Sequence, residues 1–521
     1  MDIFLLIVII LFIVAAVDIV VGVSNDAVNF LNSAIGSKVA SFKTIMAVAT
    51  VGILVGAFTS SGLMEVARKG VFDPGMFTYE GMMYVFLAVM LTDVILLDLF
   101  NEYAMPTSTT VSIVFELFGA STAMALMLIA ANQGGSDTVY DFIKIDKALF
   151  IMGGIFLSIL VAFTFGLIIQ FFSRWWLTFS HQKNRGFARP LFAGIAITCI
   201  TYFLLIKGLK GSPLKGSVFY AYISENILLV LAILLVLWTL MNVIIEKLAS
   251  INPLKTVVLT GTFSLAMAFA GNDLVNFIGV PIGAYQGWQL EGGSAEASNA
   301  ILMNSLNQSI KVPWFLLGLS GVLMSLTLWF SSKAKKVTET EINLARQGEG
   351  TERFKPNFLA KGIVAIGAGV GNVLQTITPK RIKHSIQQSY ITHTESPDIA
   401  AEDKPAFDLI RASVNLMMAS IIISYATFKK LPLSTTFVSF MVAMGSSLAD
   451  MAWGRESAGS RVAGVLNVIG GWLLTAVIAF TSAALMAVIL FKLKLVGIVI
   501  VSLIALFSVL RNNTDIFGRR S

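Results

Sequence analysis

Charge is what this chain has least of. Only 13% of its 521 residues are Asp, Glu, Lys or Arg, while 56% are hydrophobic, and the mean hydropathy is +0.81. A soluble globular protein carries about twice that share of charge, so the composition predicts an all-α polytopic membrane protein. Cysteine is nearly absent: the lone Cys199 excludes an internal disulfide and any cysteine-based metal site, and reads as a small packing residue. Histidine is almost as scarce. His181, His384 and His393 all fall in polar loops, which excludes a histidine proton relay within the membrane and argues against a histidine-ligated zinc. The formal charge of +7 does not imply nucleic acid, because the basic residues collect between apolar runs, where they act as topology signals.

What is present is a series of long apolar runs. They cover roughly 3–23, 39–60, 81–100, 107–131, 148–172, 189–206, 221–245, 254–270, 311–330, 409–430, 433–452, 461–490 and 493–510, each long enough to cross a bilayer or to enter and return. The opening run, Ile3 to Val23, is too long for a signal-peptide core and has no basic flank, so it reads as a retained helix. About twelve crossings are expected. Two polar interruptions, Arg174–Pro190 and Ser331–Asp408, are rich in Lys and Arg, which favours the cytoplasm for both. The second holds 11 Lys/Arg against 9 Asp/Glu and is expected to be an extramembrane insertion. Its Gly-rich apolar patch, 363–373, is expected to pack as loop.

The chain repeats itself. Asn25-Asp26-Ala27-Val28-Asn29-Phe30 returns as Asn272-Asp273-Leu274-Val275-Asn276-Phe277, and Pro106-Thr107-Ser108-Thr109-Thr110 returns as Pro432-Leu433-Ser434-Thr435-Thr436. Gly153-Gly154, closing on Ala162-Phe163-Thr164, returns as Gly470-Gly471, closing on Ala479-Phe480-Thr481. The offsets are 247 (26 to 273), 326 (108 to 434) and 317 (153 to 470), so the second copy carries an insertion between its first two motifs. The organisation predicted is a first transmembrane repeat over 1–175, linking helices over 176–250, a second repeat over 251–330 and 409–490 around the 331–408 insertion, and a C-terminal helix and tail over 491–521.

The motifs point to ion chemistry. A Pro followed by Ser-Thr-Thr is a helix-start signal, and a helix beginning inside a membrane offers unpaired N–H donors and a partial positive charge to an oxyanion. No Arg or Lys occurs in any of the four motifs, so Ser108, Thr109, Thr110, Ser434, Thr435 and Thr436 are the candidate anion ligands. Asn25, Asp26 and Asn29, with Asn272, Asp273 and Asn276, supply hard oxygen ligands that suit an alkali cation, on one helix face or in one unwound turn. A buried carboxylate beside an anion repels it unless cations lie between, which implies cation co-transport. The Gly-Gly pairs read as close helix packing. Asp18, Asp93, Asp98 and Glu116 lie in apolar runs without a counterpart in the other copy, either paired or engaged in coupling or proton transfer. Asp450 is expected to pair with Arg455.

These motifs resemble those of the inorganic phosphate transporter (PiT) family, marked by a duplicated Gly-Ala-Asn-Asp-x-x-Asn and a duplicated Pro-x-Ser-Thr-Thr. The resemblance spans both repeats and leaves out the central link and the 331–408 insertion. It implies two inverted-topology repeats with re-entrant or broken helices, and a secondary transporter that imports phosphate by cation symport through alternating access. By position it gives phosphate to the six hydroxyl residues together with Asp26 and Asp273, and sodium to Asn25, Asp26, Asn29, Asn272, Asp273 and Asn276. Val111 and Phe437 stand where many members have His, and the stretch 48–57 lacks the glutamate many members carry, so sodium and protons both stay open. The expected partners are phosphate, sodium or protons and the lipid bilayer of a cell membrane, with a homodimer as candidate assembly and no cofactor. Sulfate is the alternative substrate; an intramembrane aspartyl protease on Asp26 and Asp273, or a passive anion channel, are the rivals of another class.

Overall fold

The computed structural model describes residues 3–60, 70–103, 107–131, 138–179, 186–207, 218–290, 302–307, 312–346, 355–390, 404–452 and 458–512. The described residues are almost wholly helical; two isolated bridges, Phe72 with Ile143 and Thr78 with Leu302, are the extended pairings recorded among them. The first repeat contributes α1 (Ile3–Asp26), α2 (Val28–Gly36), α3 (Phe42–Thr59), α4 (Tyr79–Glu102), α5 (Thr109–Ala130) and α6 (Ile145–Leu177). Then follow α7 (Ala188–Thr201) and α8 (Ile227–Ala249), which pack on each other. The second repeat contributes α9 (Pro253–Leu290), α10 (Trp314–Phe330), then α11 (Ser332–Ala345), α12 (Phe358–Ile377) and α13 (Lys380–Ser389) of the insertion, then α14 (Leu409–Phe428) and α15 (Thr435–Ala449). A final long helix breaks at Lys494, where φ is 47° and ψ is −125°, into α16 (458–493) and α17 (495–512).

Nine of the described helical stretches are long and apolar enough to cross a membrane, which makes the chain a multi-pass membrane protein. The expected twelve are not reached on length and composition. The stretches Ala188–Leu204, Trp314–Phe330 and Thr435–Ala449 fall short, and 458–507 counts as one run despite its break.

The two copies interlock. α1 packs on α4 and α10, while its counterpart α9 packs on α14 and α3. More telling is an exchange: α5 of the first repeat packs against α16 of the second, and α15 of the second packs against α6 of the first. Glycine permits both contacts at the same register. A Cβ on Gly119 would land on the Phe480 carbonyl, and one on Gly445 would land on the Phe163 carbonyl; Gly119 and Gly445 are 326 apart, Phe163 and Phe480 317 apart. Without a hydrophobic drive between helices in lipid, such backbone approach is what brings them together.

Several expectations need correction here. The Gly-Gly pairs do not pack closely: a Cβ on Gly153, Gly154 or Gly470 meets nothing within 4 Å, whereas one on Gly166, further along α6, would meet the Val442 carbonyl. The 363–373 patch is not packed loop but part of the amphipathic helix α12, with Phe358, Leu359 and Ile363 exposed. His384 lies on a helix, α13, and not in a loop, with its Nε2 2.9 Å from Gln388 Nε2; His181 and His393 fall outside the described residues. So does Arg455. Asp450 is instead fully buried between Arg174, which approaches both its oxygens at 2.9 and 2.7 Å, and Arg411, at 3.0 Å. Arg174 also grips Asp408, the N-cap of α14, at 2.6 and 2.9 Å. A charge this deep is tolerated only when fully paired.

The exchanged contacts generate a prediction. Gly119→Ala and Gly445→Ala should each lower the unfolding temperature of detergent-solubilised protein, by a loss of about 1–3 kcal/mol from overpacking, and to similar extents. Gly153→Ala, facing open space, should be neutral or mildly stabilising through helix propensity. Equal melting of all three variants and the parent would contradict the close approach.

Candidate functional site

The site lies where four helix ends meet. On the first copy α1 ends at Asp26, and Ala27 keeps right-handed helical angles (φ −56°, ψ −29°) into α2. On the second copy α9 runs unbroken through Asn272, Asp273 and Asn276. The helical alternative therefore holds for both Asn-Asp elements, placing i, i+1 and i+4 side chains along one side. Both Ser-Thr-Thr elements start helices: Ser108 caps α5 by accepting from the Val111 N–H at 3.1 Å, and Ser434 caps α15 by accepting from the Phe437 N–H at 3.0 Å. Pro432 sits two residues before its cap, outside the first turn, and Pro106 lies outside the described residues.

The hydroxyls and carboxylates are crossed between copies. Thr109 and Thr436 both donate to Asp26, each at 3.0 Å. Thr110, at 3.1 Å, and Thr435 both donate to Asp273. Each aspartate thus holds one threonine of its own repeat and one of the other. The amides follow the same rule: Asn29 Nδ2 reaches Thr435 and Thr436 at 3.2 and 3.1 Å, and Asn276 Nδ2 reaches Thr109 and Thr110 at 3.2 and 3.0 Å. All twelve expected residues are buried; nine of them, Asp26, Asn29, Thr109, Thr110, Asn272, Asp273, Asn276, Thr435 and Thr436, form one hydrogen-bonded centre, with Ser108 and Ser434 capping the helices beside it.

Asn25 and Asn272 depart from the symmetry. Asn25 turns to the α4–α5 connection, donating to Asn101 Oδ1 at 2.8 Å and accepting from the Thr107 N–H at 2.9 Å. It holds that loop in place. Asn272 Nδ2 donates to the Leu433 carbonyl and to Asp273, both at 2.8 Å, and its Oδ1 is buried with no partner.

Two residues of this network escaped sequence reading. Asn101 anchors Asn25 and also donates to the Val21 carbonyl at 2.7 Å, and Ser439 donates to Asn29 Oδ1 at 3.1 Å. Asn101 had no repeat signal, since Thr427 stands at its counterpart. Ser439 had none either, since Ile113 stands at its counterpart.

The further acidic residues divide. Asp98 pairs with Lys333 of α11 at 2.8 Å. Asp18, Asp93 and Glu116, from α1, α4 and α5, are wholly buried; Ser112 donates to Glu116 Oε1 at 2.7 Å, while both oxygens of Asp18, both of Asp93 and the second of Glu116 lack a hydrogen-bond partner. No group of three or more His, Cys, Asp or Glu with metal-binding geometry occurs among the described residues.

Comparison with known proteins places this arrangement. A family model described as the phosphate transporter family matches residues 22–340, well over half the chain and both Asn-Asp elements. Among curated proteins, one of Thermococcus kodakarensis is 25% identical over 369 residues, covering 68% of this chain and 81% of its own length. Another, of Pyrococcus horikoshii, is 24% identical over 358 residues with the same coverage. Both carry the name phosphate permease on a provisional basis. A solved structure named as the sodium-dependent phosphate transporter superposes with a TM-score of 0.62, over 94% of this chain and all of its own, at 17% identity; that is a likeness of fold. With the repeated motifs, the crossed centre and the family match together, the chain belongs to the phosphate transporter family.

Proposed function

We propose that this chain imports inorganic phosphate across a cell membrane by cation symport, with alternating access around the crossed centre. The observation that carries the coupling is a shortage of protons. A hydroxyl has one proton to donate, and those of Thr109, Thr110, Thr435 and Thr436 are directed to Asp26 and Asp273. To bind a phosphate oxygen each hydroxyl must turn from its aspartate. Asp26, left without those hydroxyls in a dry site, and Asp273, left with the Asn272 and Asn276 amides on one oxygen only, then need a positive partner. Anion and cation binding become one exchange, in which neither is favourable alone.

Within this reading Thr109, Thr110, Thr435 and Thr436 bind phosphate oxygens at the capped helix starts of Ser108 and Ser434. Asp26 and Asp273, with Asn29, Asn276 and the unpartnered oxygen of Asn272, hold cations. Asn25 acts by fixing Thr107 and the start of α5. Sodium is the proposed co-substrate, supported by the name of the fold neighbour; the buried carboxyls of Asp18, Asp93 and Glu116 keep protons as the alternative. The repeats carry the boundaries given above, and no cofactor or catalytic chemistry is proposed.

Two predictions test it. Asp26→Asn and Asp273→Asn, which keep shape and remove charge, should each abolish concentrative phosphate uptake into proteoliposomes under a sodium or proton gradient, with expression unchanged. Wild-type accumulation in either variant would remove that aspartate from the cation's coordination. Phosphate at neutral pH retains a P–OH that a carboxylate can accept, whereas sulfate offers only acceptors. A lost buried contact costs about 1–3 kcal/mol, roughly tenfold or more in affinity. Arsenate, which keeps its hydroxyl, should therefore compete with labelled phosphate, and excess sulfate should not. Equal competition by both would turn the substrate assignment towards sulfate.

A further inference from the structure

Helix α11 opens the polar insertion, yet one face of it is packed against the apolar helices. It packs against α1, α2, α4, α15 and α16, with Ala334, Val337, Thr338, Glu341 and Leu344 buried. Its N-terminal end is tied by Ser331 to Ser24 at 2.7 Å and by Lys333 to Asp98 at 2.8 Å. At the other end Arg411 donates to the Ala345 carbonyl at 2.6 Å, and Arg461 to the Arg346 carbonyl at 2.7 Å. Between these ties stands Glu341, wholly buried, accepting from Asn32 Nδ2 at 2.5 Å.

The second atom of each partner decides the chemistry. Glu341 Oε2 and Asn32 Oδ1 are both buried and both lack a hydrogen-bond partner. Two acceptors on touching groups call for a donor between them. A hard cation takes about six oxygen ligands, but the nearby carbonyls at the end of α2 are already used: Ser33 by Ser37, Ala34 by Val39, Ile35 by Lys38 and Gly36 by Ala406. A proton needs only these two atoms. A protonated carboxyl offers one O–H donor and one acceptor, and a carboxamide offers the reverse, so the pair closes into a ring of two hydrogen bonds. We propose that Glu341 and Asn32 form a proton-binding site that latches the insertion helix α11 to α2.

The surroundings supply no competing charge. α2 and α15 carry no titratable residue, Asp450 beyond α15 is held by Arg174 and Arg411, and Asp98 on α4 is taken by Lys333. Asp26 on α1 accepts from Thr109 and Thr436, Asp18 faces Asp93, and Glu102, Lys336 and Glu339 are exposed. Burial alone pushes the Glu341 carboxyl up to about 8, against a lowering by the Asn32 amide. The sign follows: the latch is closed below that pH, where the proton is bound, and is lost above it. Because α2 also carries Asn29, which contacts Thr435 and Thr436, releasing α11 frees one wall of the central site.

The test reads helix seating and needs no transport. On a Cys199→Ser background, Val337→Cys places a thiol on the buried face of α11, and Lys336→Cys gives an exposed reference. The maleimide labelling rate of the first, divided by that of the second at the same pH, removes the thiol's own titration. With Glu341 intact, this ratio should rise about tenfold or more between pH 6.5 and 9.5. In Glu341→Gln, whose amide closes the same ring at every pH, it should stay low throughout; in Glu341→Ala it should be high throughout. A flat ratio in the Glu341 protein, or an equal rise in Glu341→Gln, overturns the proposal. The comparison of those two proteins decides the matter even if Glu341→Ala does not fold.

Discussion

Everything at the centre of this protein depends on one constraint: a hydroxyl has a single proton, and inside a dry site an oxygen without a donor is costly. Four threonine protons satisfy the four oxygens of two aspartates, and no basic residue occurs in the motifs that supply them. Under the proposed symport, an anion that takes those protons brings positive charge with it. Under the same proposal, the absence of Arg and Lys from the motifs, which in a water-filled anion site would be a weakness, is what ties the two ions together.

The crossing of repeats gives that constraint its mechanical reach. Because each aspartate binds a threonine from both copies, the two halves cannot separate at the centre without breaking hydrogen bonds. The exchanged packing of α5 on α16 and of α15 on α6 extends the same bracing outward. Gly119 and Gly445 allow it through backbone contact, which in lipid replaces the hydrophobic drive available in water. Helix starts at Ser108 and Ser434 are thereby held against the partner copy's Asn-Asp element.

The insertion is bound into this frame. Arg411 and Arg461 reach out of α14 and α16 to cap α11, and Asp408 and Asp450 in turn hold Arg174 and Arg411. The polar segment that interrupts the second repeat therefore leans on both copies. Glu341, the wholly buried carboxyl among its described residues, touches the helix that carries Asn29.

Much of this was legible in the chain. Long apolar runs with sparse charge determine a polytopic helical membrane protein, since hydropathy and period are local properties. Duplication of Asn-Asp-x-x-Asn and of Ser-Thr-Thr picked out the twelve residues that cluster, because polar groups in hydrocarbon are retained only where they are partnered. Helix starts at Ser108 and Ser434 followed from capping chemistry that depends on three neighbouring residues. Tertiary structure alone decided which copy's threonine meets which aspartate, and that Asn25 serves Asn101 and the α4–α5 connection. It also decided that Gly119 and Gly445, not the conspicuous Gly-Gly pairs, face a helix, and that Asp450 belongs to Arg174 and Arg411. Glu341 looked like one charge among many in a polar insertion. Only the packing of α11 into the core takes it out of water, and burial is a property of the whole fold that no local pattern records.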